Sequence, residues 1–152
     1  MYFRGYSTRN LDSKGRLMLP PDFRRIVVHD DPESRLMLTN FDRCIACYTL
    51  SEWEKIESSF YQLNQTNKNV RAFQRFFIAG AVEAVPDKQG RILVPPHLRD
   101  YAHLEKEVVL AGVGRKFEIW NKDAFLDNRK EVEENYDQVM GELQNQGFEL
   151  RI

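Results

Sequence analysis

The sequence predicts an α+β fold: two tandem copies of one β-rich unit, paired about a pseudo-two-fold axis, with helices flanking them. Three features predict it. First, the pattern D-x-x-G-R-apolar-apolar-apolar-P-P-x-apolar-R occurs twice, as "LDSKGRLMLPPDFR" (Leu11 to Arg24) and "PDKQGRILVPPHLR" (Pro86 to Arg99), at an offset of 75 residues. Second, the likeness continues at an offset of 72, with "RLMLTNFDRCIACYTLSEW" from Arg35 lying against "EVVLAGVGRKFEIWNKDAF" from Glu107. Third, an apolar stripe at helical spacing follows each copy. Two copies are too few for a solenoid, which needs about three stacked units, so a pair sharing one core is expected.

Each element follows from local chemistry. "SKG" and "KQG" are turn segments whose glycines, Gly15 and Gly90, can take a positive φ. They lie between extended segments, which predicts a β-hairpin in each copy. Pro20-Pro21 and Pro95-Pro96 end the return strand, because proline has no ladder N–H. A short helix is expected in "PDFRRIV" and in "PHLRDYA", with the second proline early in it. Strands are expected near 35–40, 43–49, 107–111 and 115–120. Ser51 and Glu54 fit a capping box for a helix carrying Trp53, Ile56, Phe60 and Leu63. "NQTNKN" breaks it, and Val70, Phe73, Phe76 and Phe77 predict a second short helix. Asp123 replaces Ser51 in copy two, where Phe125, Val132, Tyr136, Val139 and Leu143 predict one final helix. The tail "NQGFELRI" carries no assignment. The expected organisation is unit one at 1–53, a helical bridge at 54–79, unit two at 80–125, and a C-terminal helix and tail at 126–152.

Bulk properties narrow the function. A chain of 152 residues buries a core, although either half alone is marginal. Apolar runs fall short of the ~20 residues of a membrane helix, and "MYFRGYSTRN" lacks the apolar stretch of a secretory signal. A cytoplasmic protein with no membrane partner is expected. Net charge is −1, which by itself argues against nucleic acid. Its distribution argues otherwise: Met1 to Arg25 carries a local net of +4, and Leu126 to Ile152 a local net of −4.

Catalysis finds no support. The cysteines of "CIAC", Cys44 and Cys47, fall in a predicted strand, where residues three apart face opposite ways. No second pair of ligands accompanies them at metal spacing, and they align with Lys116 and Ile119, so they read as structural thiols in a reducing compartment. His29, His97 and His103 form no nucleophile–base set, and no phosphate-binding glycine loop occurs. The expectation is a protein that is not an enzyme, with no metal, no cofactor and no small-molecule substrate.

The repeated Asp-x-x-Gly-Arg remains. Asp12 and Arg16, like Asp87 and Arg91, flank a turn and can pair with each other. Exposed ion pairs contribute only ~0–1 kcal/mol, which leaves open why both copies keep both residues. An arginine presented at a turn and steadied by an aspartate can also clamp a phosphate or read a guanine edge, and a two-stranded ribbon fits the major groove. The residues alone support both readings.

At these residues the chain resembles the MraZ family of bacterial transcription regulators. "FRGYSTRNLDSKGRLMLPPDFR" and "AGAVEAVPDKQGRILVPPHLR" are similar to that family's two D-x-x-x-R motifs, and the likeness spans the whole chain, including "RAFQRFF". Each unit more distantly resembles the swapped-hairpin element of AbrB-type DNA-binding proteins. The resemblance implies a double AbrB-like swapped-hairpin module, assembly into a homo-oligomeric ring, and nucleoid association. It also implies binding to short direct repeats in double-stranded DNA. There it implies a repressor of the division and cell-wall gene cluster, including its own promoter. It places DNA contact on Asp12 and Arg16 and on Asp87 and Arg91; Lys14, Arg9 and Lys88 join them as basic neighbours. Copy one has the more basic flank along the chain, which predicts that its arginine dominates binding. The alternative is a protein-interaction module, an antitoxin-like partner binder on the same fold, with the acidic C-terminal segment as its surface.

Overall fold

The computed structural model describes residues 1–147 and 149–152, so Phe148 of the unassigned tail lies outside the described residues. The chain divides into two units, Met1–Lys122 and Asp123–Ile152. In the first, the elements run β1 (Tyr6–Asn10), β2 (Arg16–Met18), α1 (Pro21–Asp30), β3 (Leu36–Phe41), β4 (Cys44–Thr49), α2 (Leu50–Phe60), α3 (Lys68–Phe77), β5 (Val82–Ala84), β6 (Arg91–Leu93), α4 (Pro96–Tyr101), β7 (Glu107–Gly112) and β8 (Lys116–Asn121). Two helices follow, α5 (Lys122–Glu134) and α6 (Tyr136–Gln144).

The two copies are exchanged strand for strand. A six-stranded antiparallel sheet has the order β1-β7-β8-β4-β3-β5, so the first strand of each copy lies on the third strand of the other. The short strands β2 and β6 pair in a separate two-stranded ribbon. The register shows one pseudo-two-fold axis. Leu17 faces Ile92, its own repeat counterpart, in the ribbon, and Ala46 faces Glu118, again its counterpart, at the centre of the sheet. The expected hairpin within each copy is therefore corrected. The turn at Asp12–Gly15 is present, with Gly15 N–H donating to Asp12 O (3.0 Å), but β1 and β2 diverge from it into different sheets. Strands this short cannot bury an apolar face alone. Exchange lets Leu17 and Ile92 seal one shared core instead.

That core lies between the ribbon with α1 and α4 on one side and one face of the large sheet on the other. Leu17, Leu19, Phe23 and Val27 meet Ile92, Val94 and Leu98 over Leu38, Ile45, Leu110, Phe117 and Ile119. A second cluster of Ala46, Tyr48, Trp53, Phe60 and Phe77 holds α2 and α3 against β4 and β3, with the Trp53 and Phe77 rings stacked at 5.3 Å. Thr39 Oγ1 and Asn40 Nδ2 fasten the end of α3 by donating to Phe77 O (2.6 Å) and Phe76 O (3.0 Å).

Two local expectations need correction. The predicted capping box does not form: β4 runs directly into α2, whose N-cap is Thr49, and Ser51 Oγ instead donates to Asp30 Oδ1 at 2.6 Å. The single C-terminal helix is two, because Asn135 leaves helical geometry and its side chain bonds back to Glu131 O, a competition that asparagine commonly sets up. Cys44 and Cys47 are both buried in β4, and burial pushes both thiols far above their ordinary range.

The glycines of the motif have a second duty. Gly15 and Gly90 have φ of +85° and +83°. Gly15 also receives the other copy: Val94 N–H donates to Gly15 O at 2.8 Å, and symmetrically Leu19 N–H donates to Gly90 O at 3.0 Å. A methyl group on Gly15 would stand 3.0 Å from Val94 O and the Arg99 guanidinium, whereas one on Gly5 (φ +81°) meets nothing within 4 Å. Gly5→Ala is expected to cost about 1–2 kcal/mol from backbone strain alone. Gly15→Ala should cost clearly more by urea denaturation, and equal losses would contradict the crossed packing.

Candidate nucleic-acid interface

The turn chemistry is the same in both copies. The Asp12 carboxylate accepts from the backbone N–H of Lys14 (2.9 Å) and of Arg16 (2.8 Å) and from Arg16 Nε (2.8 Å). Asp87 accepts from the N–H of Gln89 (2.9 Å) and of Arg91 (3.0 Å) and from Arg91 Nε (3.0 Å). A short side chain reaching two and four residues on closes the turn. The Arg16 N–H, then the Arg16 guanidinium, then the Lys14 N–H hold the Asp12 carboxyl down to about 2. Asp87 is lowered in the same way, led by the Arg91 N–H.

Each aspartate occupies only the Nε edge of its arginine. The terminal nitrogens of Arg16 and Arg91 have no partner among the described residues. Both arginines stand on the outer face of the ribbon, because Leu17 and Ile92 between them point into the core. Met18 faces Arg91, and Leu93 faces Arg16, so the outer ribbon face presents two guanidiniums around two exposed apolar side chains. Lys14 and Lys88 are exposed at the turn tips. The ribbon thus unites both motifs on one surface, although they are 75 residues apart in sequence.

Arg9 lies elsewhere. On β1 its Nε donates to Ser7 Oγ at 3.4 Å, and it lines a groove together with Gln89 of copy two's turn. Arg24 likewise belongs to copy two's turn: its Nη1 would lie 2.9 Å from a methyl group on Gly90. Arg99, its counterpart on α4, covers Gly15, and Arg99 Nε is buried there without a hydrogen-bond partner among the described residues. The basic residues that flank copy one along the chain therefore stand beside copy two's turn. This removes one of the reasons for ranking Arg16 above Arg91; Lys14 still stands at copy one's turn where copy two has Gln89.

The motif also occurs where the sequence reading missed it. Asp31 accepts from the N–H of Glu33 (3.2 Å) and of Arg35 (3.1 Å) and from Arg35 Nε (2.8 Å), which makes a third D-x-x-x-R turn. The Arg35 guanidinium bond leads the lowering of Asp31 to about 2. Here Arg35 Nη2 also returns to Asp31 Oδ1 (3.4 Å), and Arg35 Nε lies 3.4 Å from Glu33 Oε2, so its fork is occupied. The signal was present as an aspartate four residues before an arginine, without the glycine that marks the other two.

Comparison with known proteins matches this architecture. A family model described as "MraZ protein, putative antitoxin-like" matches twice, over residues 2–76 and 77–144. The chain belongs to the MraZ family. One transcriptional regulator MraZ, from Solidesulfovibrio magneticus, is 51% identical over 151 residues, with 99% of both chains covered. Others are that of Nitratidesulfovibrio vulgaris, 43% identical over 99% of both chains, and that of Pediococcus pentosaceus, 44% identical over 93% of this chain and 96% of its own. MraZ proteins are transcriptional regulators and not an enzyme family. Among the described residues no helix is long and apolar enough to cross a membrane. Each of the two matched MraZ segments contains one ribbon arginine with its aspartate.

The lowered aspartate predicts a pH response. A carboxyl held at about 2 when folded and near 3.8 when unfolded adds stability above the unfolded value, and loses it as pH falls through about 2. Wild-type melting temperature should drop more steeply between pH 4 and pH 2 than that of Asp12→Asn, which keeps an acceptor for the turn but carries no charge. Parallel curves would show that the Arg16 contacts do not hold the carboxylate.

Proposed function

We propose that this MraZ-family protein is a sequence-specific DNA-binding transcription regulator in which Arg16 and Arg91 read guanine edges from one β-ribbon. The observation that carries the proposal is the pair of guanidiniums fixed at Nε by Asp12 and Asp87, with their terminal nitrogens unpartnered on the outer ribbon face. An arginine so held has already lost much of its side-chain freedom, which leaves more of the contact energy for binding. A guanidinium edge matches guanine O6 and N7, and an antiparallel ribbon fits the major groove. Lys14, Lys88 and Arg9 supply phosphate contacts around it, setting register without reading sequence.

One chain with a net charge of −1 binds a polyanion weakly. Assembly into a homo-oligomeric ring answers this, since linked ribbons engage successive direct repeats at high effective concentration. With the family resemblance, this supports a cytoplasmic, nucleoid-associated repressor. Its sites would be promoter-proximal repeats of the division and cell-wall gene cluster, its own promoter among them. The antitoxin-like reading, a protein-interaction module, is separated by salt. Binding through phosphates weakens steeply as salt rises, whereas an apolar protein interface does not.

The direct test is binding of Arg16→Ala and Arg91→Ala to a multi-repeat promoter fragment at fixed salt, with melting and oligomer mass in parallel. Each should lose about 1–3 kcal/mol per contact while fold and mass persist. Asp12 and Asp87 hold the two arginines in the same way, so both losses should fall in that range, with the larger at Arg16, whose turn carries Lys14 where the other has Gln89. Wild-type affinity in both variants would remove the arginines from the interface. A multi-repeat fragment should also bind far more tightly than a single repeat, and equal affinity would contradict the multivalent reading.

A further inference from the structure

Each copy of the repeated motif ends on an arginine, Arg24 in the first turn of α1 and Arg99 in the first turn of α4. Each lies against the turn of the other copy. A methyl group on Gly15 would stand 3.0 Å from Arg99 Cζ and Nε, and one on Gly90 would stand 2.9 Å from Arg24 Nη1 and 3.3 Å from its Cζ. Both glycines are buried, although Ser13 and Lys14, like Lys88 and Gln89, are exposed just before them. The segment that carries each arginine also grips the glycine carbonyl: Val94 N–H donates to Gly15 O, and Leu19 N–H donates to Gly90 O. Each turn is thus held at two points by the other copy, by an amide at the carbonyl and by a guanidinium at the α-carbon.

Packing alone does not call for arginine here. Asp12 and Asp87 are engaged by Arg16 and Arg91, and among the described residues neither Arg24 nor Arg99 enters an ion pair. At Arg99 an apolar side chain would fill the space without leaving a buried donor unpaired. A guanidinium is planar, rigid and weakly hydrated, so it seats a glycine backbone where an ammonium holds its water. The seat lies next to the reading residue in both copies. Gly15 precedes Arg16, whose N–H donates to Asp12 Oδ1 at 2.8 Å, and Gly90 precedes Arg91, whose N–H donates to Asp87 Oδ1 at 3.0 Å. We infer that Arg99 and Arg24 are positioning residues for base reading that act across the copies: Arg99 holds the backbone that aims Arg16, and Arg24 the backbone that aims Arg91. The inference rests on the DNA reading above and extends it to the residues that keep the two readers in place. A contact site is only as exact as the shell that supports it.

The test is a set of double-mutant cycles on the full-length protein, read as affinity for a multi-repeat promoter fragment at one salt concentration, low enough that every variant binds. Arg99→Met and Arg24→Met keep an unbranched chain and remove the guanidinium. Each should weaken binding about tenfold, the size of coupling found between residues in contact. The loss for Arg99→Met should vanish in an Arg16→Ala background and persist in an Arg91→Ala background, and that for Arg24→Met should show the opposite pattern. Equal losses in both backgrounds overturn the inference; a salt dependence weaker by about one charge would then make the two arginines phosphate contacts. Unchanged affinity with a lowered melting temperature would make them structural only, and also overturns it. If Arg16→Ala and Arg91→Ala bind as wild type does, the DNA reading fails and this inference with it. If those two bind weakly while Arg24→Met and Arg99→Met bind as wild type does, only this inference fails. Should a methionine variant fail to fold, Arg99→Lys keeps the charge, and amide hydrogen exchange reads the turn without DNA. The Arg16 N–H should exchange faster in Arg99→Lys than in wild type, with the Arg91 N–H unchanged. An Arg16 N–H that exchanges at the wild-type rate refutes the positioning role.

Discussion

The structure depends on the exchange of short strands at the ribbon. Strands of three residues cannot stand alone, and β2 and β6 are each that short. Pairing them places Leu17 against Ile92 on the pseudo-two-fold axis and roofs the main core. The turn glycines lock the exchange, since each carbonyl receives an amide from the other copy and each glycine lies under the other copy's arginine, Arg99 or Arg24. Neither copy is therefore complete without the other, and the surface that carries both motifs exists only after exchange.

The Asp–Arg turn is first a structural device. Asp31 and Arg35 build it at a place where both Nε and Nη2 of the arginine return to the aspartate. The pairs at Asp12 and Asp87 differ in what they leave over, an unpartnered guanidinium edge on an outward ribbon face. The aspartate serves both ends at once. Its backbone contacts hold the turn, and its contact with Nε aims the arginine. On the proposed function, base reading is added to a turn that folding already requires, and one aspartate–arginine pair in each copy serves both.

Much of this was legible in the sequence. The repeat offsets of 75 and 72 residues correctly paired Leu17 with Ile92 and Ala46 with Glu118, the residues that meet on the axis. The four long strands followed from their apolar pattern and the helices at Pro21 and Pro96 from their proline pairs. The residues alone did not say which copy a neighbour belongs to; the family resemblance did, since it implied interlocked, swapped hairpins, and the exchanged strands agree with it. A hairpin within a copy and an exchanged strand have the same local signature, because the turn residues are identical and only the partner differs. Arg9 and Arg24 flank copy one along the chain but stand beside copy two's turn for the same reason. Ser51 failed for a related reason, as its hydroxyl found a distant acceptor in Asp30 that no local window contains.

The central claim is that two pre-aimed arginines on one exchanged ribbon read base edges. It is tested most directly by removing single acceptor atoms from the DNA. A promoter fragment with 7-deazaguanine at the guanines of its repeats loses N7 and keeps its shape and phosphates. Wild-type protein should bind it more weakly than the unmodified fragment, while the double variant Arg16→Ala/Arg91→Ala should bind the two fragments equally. An undiminished penalty in the double variant would place guanine readout on other residues and contradict the account.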